Sequence, residues 1–162
     1  MTRVLETKVQ ISATKTQIFE LLTSQDFSIE KAESTNSKVL DFIKTAETNT
    51  LKTTLVREFE REIPKLARNF IDERILAKEV FIWNSNQDEA QIKINIERAP
   101  IEIFGQLQLL DIAPGTSVEI NLTIESSVPF FNEKIEKFAE NIWVGISTAE
   151  LELVNRHFRQ HF

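Results

Sequence analysis

Residues 128–158, "VPFFNEKIEKFAENIWVGISTAELELVNRHF", decide how the rest of the chain is read. Ile135, Phe138, Ala139, Ile142, Ile146, Ala149 and Leu153 recur at steps of three and four, which places them on one stripe of a helix. Glu133 with Lys137 and Glu152 with Arg156 are i,i+4 pairs in the favourable order and belong on the solvated side. A helix starting near Asn132 and running about 27 residues would be about 40 Å long, at about 1.5 Å per residue. A rod of that length crosses a whole sheet, and its apolar stripe needs something to cover.

Working back from this helix, the chain reads mostly as strands. "RVLETKVQI" (3–11) is a first strand, followed by a change of period at "TKTQIFELLT" (14–23). There Thr14 and Gln17 have capping-box spacing, and Ile18, Phe19, Leu21 and Leu22 supply the buried face of a short helix. "FSIEKAES" (27–34) adds a second helical turn or two. "KVLDFIKTAE" and "TLKTTLVREFE" then flank the turn-like "ETNT" as a hairpin. Pro64 with Leu66, Ala67, Phe70 and Ile71 predicts a short amphipathic helix between strands. "ILAKEVFIW" (75–83) and "AQIKINIE" (90–97) resume the sheet, and the clean alternation of the second implies one wet face. "IEIFGQLQLL" and "SVEINLTIES" form another hairpin around "APGT". Strand, two short helices, antiparallel meander and long helix together make an α+β domain, expected to span residues 1–162 as a single unit.

The composition, 41% hydrophobic and 27% charged, is that of a globular protein, and no apolar run approaches the roughly 20 residues of a bilayer span. No integral membrane association is therefore expected. Charges inside "MTRVLETKVQIS" do not suit a secretory signal, so a cytoplasmic location is expected. The absence of cysteine removes disulfides, thiolate nucleophiles and cysteine metal sites. A net charge of −6 with scattered basic residues argues against nucleic acid as a partner. Three separated glycines cannot build a phosphate-cradling loop, so no nucleotide cofactor is implied.

The segments "VQISATKTQIFELLTSQDF", "VREFEREIPKLARNF" with Arg57 and Pro64, "VFIW", "APIEIFGQLQL" and "VPFFNEKIEKF" with Pro129, Lys134 and Glu136 carry a resemblance by their order and spacing. The chain resembles the START-like, birch-pollen-allergen-like helix-grip superfamily, and within it an uncharacterised bacterial family grouped with polyketide cyclase and lipid-transfer relatives. The resemblance covers essentially the whole chain. It implies a curved antiparallel sheet of six or seven strands wrapped around the terminal helix, with a cavity between them. This chain has phenylalanine and asparagine where a small, glycine-containing turn commonly precedes the last helix.

Such a cavity would suit a hydrophobic or amphipathic small molecule, a lipid among them. Leu55, Arg57, Phe59, Val80, Ile82, Trp83, Ile94, Ile103, Phe138, Ile142, Trp143 and Ile146 are the candidate ligand-binding residues, with Leu66, Phe70 and Ile71 as a lid. The competing reading is a core filled by Phe59, Phe81, Trp83, Phe138 and Trp143. Arg57 shares strand parity with Leu55 and Phe59, so an inward guanidinium needs either a ligand carboxylate or an ion pair with Glu79 or Asp41. Lys78 and Glu79 lie on opposite faces, and only one of them can point inward. His157 and His161 have i,i+4 spacing but no obvious third ligand, so no metal is expected. No catalytic residue stands out, because a serine nucleophile would lack a base in the pocket. Three functions stay open: a carrier, a cyclase or dehydratase acting on an enclosed substrate, and an interaction module or homodimer with a filled core.

Overall fold

The computed structural model describes residues 3–65, 67–128 and 130–159. Its elements follow the order β1 (Arg3–Ile11), α1 (Lys15–Leu22), α2 (Gln25–Ser34), β2 (Ser37–Ala46), β3 (Leu51–Glu60), β4 (Arg74–Trp83), β5 (Glu89–Ile96), β6 (Ile101–Ile112), β7 (Gly115–Ser126) and α3 (Asn132–Arg159). The strands form one curved antiparallel sheet in the order β1-β7-β6-β5-β4-β3-β2. A meander from β2 to β7 explains all but one of these neighbours, and β1 closes on the far side of β7 with Leu5 opposite Leu122 and Val9 opposite Val118. This is the helix-grip arrangement that the order of segments implies.

Local chemistry accounts for the helix starts. Thr14 Oγ1 accepts from the Gln17 amide at 3.2 Å while Gln17 Oε1 accepts from the Thr14 amide at 2.9 Å, a complete capping box. Ser24 Oγ accepts from the Phe27 amide at 3.2 Å, so α2 starts at Gln25, two residues before the apolar pattern suggests. Helix α3 begins at Asn132, as its stripe predicts.

The sheet buries one face. Ala90, Ile92, Ile94 and Ile96 of β5 point inward between polar neighbours, as do Val118, Ile120, Leu122 and Ile124 of β7. Helix α3 lies against β1, β7 and β6 and touches α2, with Ile135, Ala139, Trp143 and Ile146 on its buried side. Two edge-on aromatic pairs tie helices to strands: Phe19 of α1 on Trp83 at 5.0 Å between ring centres, and Phe59 of β3 on Trp143 at 6.1 Å. At the other end of α3, the buried Glu136 accepts a hydrogen bond from the Ser126 amide at 2.9 Å, anchoring the helix to the end of β7.

The segment after β3 departs from expectation. In place of an amphipathic helix from Pro64 to Ile71 there is a single 3-10 turn, Ala67–Asn69. The Ala67 amide donates to the Pro64 carbonyl at 2.8 Å, and the Ile63 carbonyl, which an α-helix would have used, accepts instead from Arg68 Nε at 3.1 Å. So short a segment gains too few helical hydrogen bonds to outweigh nucleation, and burial of Ile63, Ala67 and Ile71 sets its path.

Gly105 is required by the approach of β7: a Cβ there would lie 1.9 Å from the Asn121 carbonyl oxygen. Gly105→Ala should therefore destabilise the protein by about 1–3 kcal/mol, the usual cost of overpacking. Urea unfolding of the variant checks this, with a midpoint equal to that of the parent as the contrary result.

Candidate functional site

The β3–β4 register builds the first part of the site. Leu55 pairs with Glu79 and Arg57 with Ala77, so Arg57 and Glu79 are diagonal neighbours on the same inner face. Thr53, Leu55, Arg57 and Phe59 alternate inward on β3, and Ile75, Ala77, Glu79 and Trp83 do so on β4. Glu79 is the inward member of its pair, while Lys78 is exposed.

Arg57 is fully buried. Its Nη2 donates to Glu79 Oε1 at 2.9 Å and to Glu150 Oε1 of α3 at 2.7 Å, and its Nε lies 2.5 Å from Glu79 Oε2. The guanidinium also stands over the Phe59 ring, 4.9 Å from its centre. Burial alone would ease the proton off Arg57, but Glu79 and Glu150 together outweigh it and hold the guanidinium charged. Burial would likewise push the Glu150 carboxyl up; Lys31 and then Arg57 reverse this and hold it below the ordinary carboxylate value.

Next to this cluster lies a partly open cavity of about 40 Å³. Helices α1 and α2 contribute Leu22, Phe27, Ser28 and Lys31; strands β2 to β4 contribute Phe42, Thr53, Leu55, Phe81 and Trp83. Leu107 of β6, Ile120 of β7, and Glu150, Leu151 and Val154 of α3 close it. Lys31 is only 8% exposed, and its Nζ stands 5.5 Å from the centre of the Phe81 ring. The wall is thus mostly apolar, with Ser28, Lys31, Thr53 and Glu150 as its polar members.

Of the candidate residues, Leu55 and Trp83 line this cavity and Arg57 lies beside it. Phe59, Ile94, Ile103, Trp143 and Ile146 are buried in the core away from it, and Phe138 and Ile142 are half-buried against that core. Val80 and Ile82 require correction. They occupy the opposite parity of β4 from Glu79 and Trp83 and face outward, with Ile82 42% exposed. The run "VFIW" is apolar on both faces, which hides the alternation. The lid is corrected too: Ile71 is buried in the core and Phe70 packs on Phe131 at 6.0 Å between ring centres, and neither lines the cavity. Leu66 lies outside the described residues.

Leu22, Phe27, Ser28, Lys31, Phe42, Thr53, Leu107, Ile120, Glu150, Leu151 and Val154 line the cavity and were not among the candidate residues. Leu151 and Val154 lie off the stripe that runs Ile146, Ala149 and Leu153, and they are buried where the last turns of α3 meet α2 and the sheet. Lys31 and Glu150 read as solvated helix positions until the packing of α2 on α3 encloses them. His157 meets no metal-ligating cluster among the described residues and instead pairs with Glu30 at 2.7 Å, linking α3 to α2; His161 lies outside those residues. No described helix is long and apolar enough to cross a membrane.

Residues 6–157 match the DUF2505 family, described as a protein of unknown function, and the chain belongs to that family. No curated protein matches the sequence. Among solved structures, the Zhui aromatase/cyclase from Streptomyces sp. R1128 is similar with a TM-score of 0.68 at 10% identity, covering 99% of this chain and 95% of its own. Norcoclaurine synthase from Thalictrum flavum, in complex with dopamine and hydroxybenzaldehyde, aligns with a TM-score of 0.64 at 12% identity, covering 100% and 89%. An uncharacterized protein from Rhizobium leguminosarum gives 0.67 at 8% identity, covering 99% and 97%. At these identities the likeness establishes the helix-grip fold and transfers no reaction.

Removing one member of the buried ionic cluster leaves the others uncompensated, so Arg57→Ala should cost about 3–5 kcal/mol of unfolding free energy. Equilibrium unfolding in urea checks this, and a loss below about 1 kcal/mol would contradict burial of an unpaired charge. Acid offers a second check. The folded Glu150 value lies below its ordinary 4.5, so its contribution is complete above about pH 4.5 and is lost as pH falls through the folded value. Glu150→Gln should be less stable than the parent at pH 7 and lose less stability on acidification below pH 4.5. Parallel melting curves for both proteins across that range would contradict this.

Proposed function

We propose that this DUF2505 protein binds a hydrophobic or amphipathic small molecule, a lipid chain being one such occupant, between the sheet and the helices α2 and α3. The observation carrying this reading is the cavity enclosed by Leu55, Trp83, Leu107, Ile120, Leu151 and Val154, with charged groups gathered at one wall. Apolar walls supply affinity at about 25 cal/mol per Å² buried, and a few convergent polar groups supply orientation.

The free volume, about 40 Å³, holds a few waters at most, whereas small-molecule sites are typically about 300–1,000 Å³. Binding therefore requires the walls to move. Phe42 and Phe81 are the half-buried side chains of the lining on β2 and β4, and β2 is an edge strand with most residues exposed. Displacement of these two rings, with α2 carried outward, is the opening consistent with the smallest loss of core packing. The core around Phe59 and Trp143 stays shut, so the ligand sits toward the C-terminal half of α3.

Native mass spectrometry of protein purified without denaturation tests the reading. The expected result is an additional mass that disappears on organic extraction and is missing from Leu151→Trp, whose indole fills the cavity. A parent protein that carries no added mass, before or after incubation with hydrophobic probes, would overturn it.

A further inference from the structure

The polar end of the cavity carries information about the head group of its occupant. Arg57 and Lys31 bring two positive charges, and Glu79 and Glu150 bring two negative ones, so the cluster is balanced. Arg57 is not part of the cavity lining: its Nη2 donates to the two carboxylates and its Nη1 to Thr35 Oγ1 at 3.5 Å. Among the charged groups that line the cavity, what remains for a ligand is one donor and one acceptor. Lys31 Nζ lines the cavity, 8% exposed at the level of the residue, and makes no hydrogen bond among the described residues. Glu150 uses Oε1 for Arg57, while Oε2 has no hydrogen-bond partner among the described residues. The two side chains face the same cavity, yet no contact within 4.0 Å joins them as an ion pair.

From this juxtaposition we infer that the occupant carries an uncharged group that both donates and accepts, a hydroxyl or phenol, bridging Lys31 Nζ and Glu150 Oε2. This rests on the binding reading above and narrows it to a substrate class. A carboxylate would introduce a third negative charge against two positive ones in an apolar enclosure, and an amine a third positive one; either leaves a buried charge uncompensated. A hydroxyl keeps the balance, accepting from the ammonium and donating to the carboxylate, and both bonds are charge-assisted. A purely hydrocarbon ligand would strand both groups without partners. Of the uncharged polar lining residues, Ser28 Oγ already donates to the Ser24 carbonyl at 3.1 Å, and Thr53, inward on β3 like Leu55, offers a hydroxyl without the charge assistance of Lys31 and Glu150.

Four probes of nearly equal size separate these cases: 1-naphthol, 1-naphthoate, 1-naphthylmethylamine and 1-methylnaphthalene, titrated calorimetrically into the full chain at pH 7. The expected order places 1-naphthol about tenfold or more ahead of each of the others, the scale of one charged hydrogen bond. In Lys31→Met and in Glu150→Gln, the ratio of naphthol to methylnaphthalene affinity should collapse toward one. Equal or tighter binding of naphthoate or of the amine overturns the inference while leaving the binding reading intact. So does a naphthol preference that survives both substitutions. Binding of none of the four overturns the binding reading and this inference with it. The order among probes in the parent protein needs no variant to fold.

Discussion

A fully buried guanidinium holds the candidate site together. Arg57 projects from β3 into the interior, where no charge is stable alone, and the structure answers with Glu79 from the neighbouring strand and Glu150 from the last helix. Glu79 follows automatically from the antiparallel register. Glu150 does not: it meets Arg57 only if α3 crosses the sheet at one rotation and one axial position. The charge cluster therefore acts as a registration device between sheet and helix, a role in which buried ionic groups trade stability for specificity. Glu136 fixes the opposite end of the same helix through the Ser126 amide, so α3 is pinned at two points along its length.

Between those pins the core is filled. Phe59 packs edge-on against Trp143, with Ile94, Ile103 and Ile146 buried in the same core. The described cavity lies where α2 intervenes between the sheet and α3, with Lys31 and Glu150 in its wall. The two readings of the interior, cavity and filled core, are thus each true of a different part of the molecule. The small size of the cavity follows from the same large side chains that make the core dense.

The fold was legible because its periodicities are strong. β5 alternates without a break, α3 keeps a single stripe from Ile135 to Leu153, about five turns, and the Thr14–Gln17 capping box marks a helix start by itself. What was illegible depended on partners remote in sequence. Arg68 captures the Ile63 carbonyl and cancels a helix that apolar spacing favoured. Val80 and Ile82 share an apolar run with Trp83, so only the strand register reveals that they face outward. Lys31 and Glu150 stand on different helices, and their burial arises when those helices meet. Arg57 was the exception: its parity with Leu55 and Phe59 pointed inward, and of the anions considered, a ligand carboxylate, Glu79 or Asp41, the structure supplies Glu79, joined by the unforeseen Glu150, while Asp41 is exposed.

Methyl-resolved NMR of the full chain titrated with 1-naphthol tests the location of the site most directly. Binding between the sheet, α2 and the C-terminal half of α3 shifts the methyl signals of Leu55, Leu107, Leu151 and Val154 and leaves those of Ile94, Ile103 and Ile146 in place. Shifts centred on Ile94, Ile103 and Ile146, or confined to outward-facing residues such as Ile82, would contradict it.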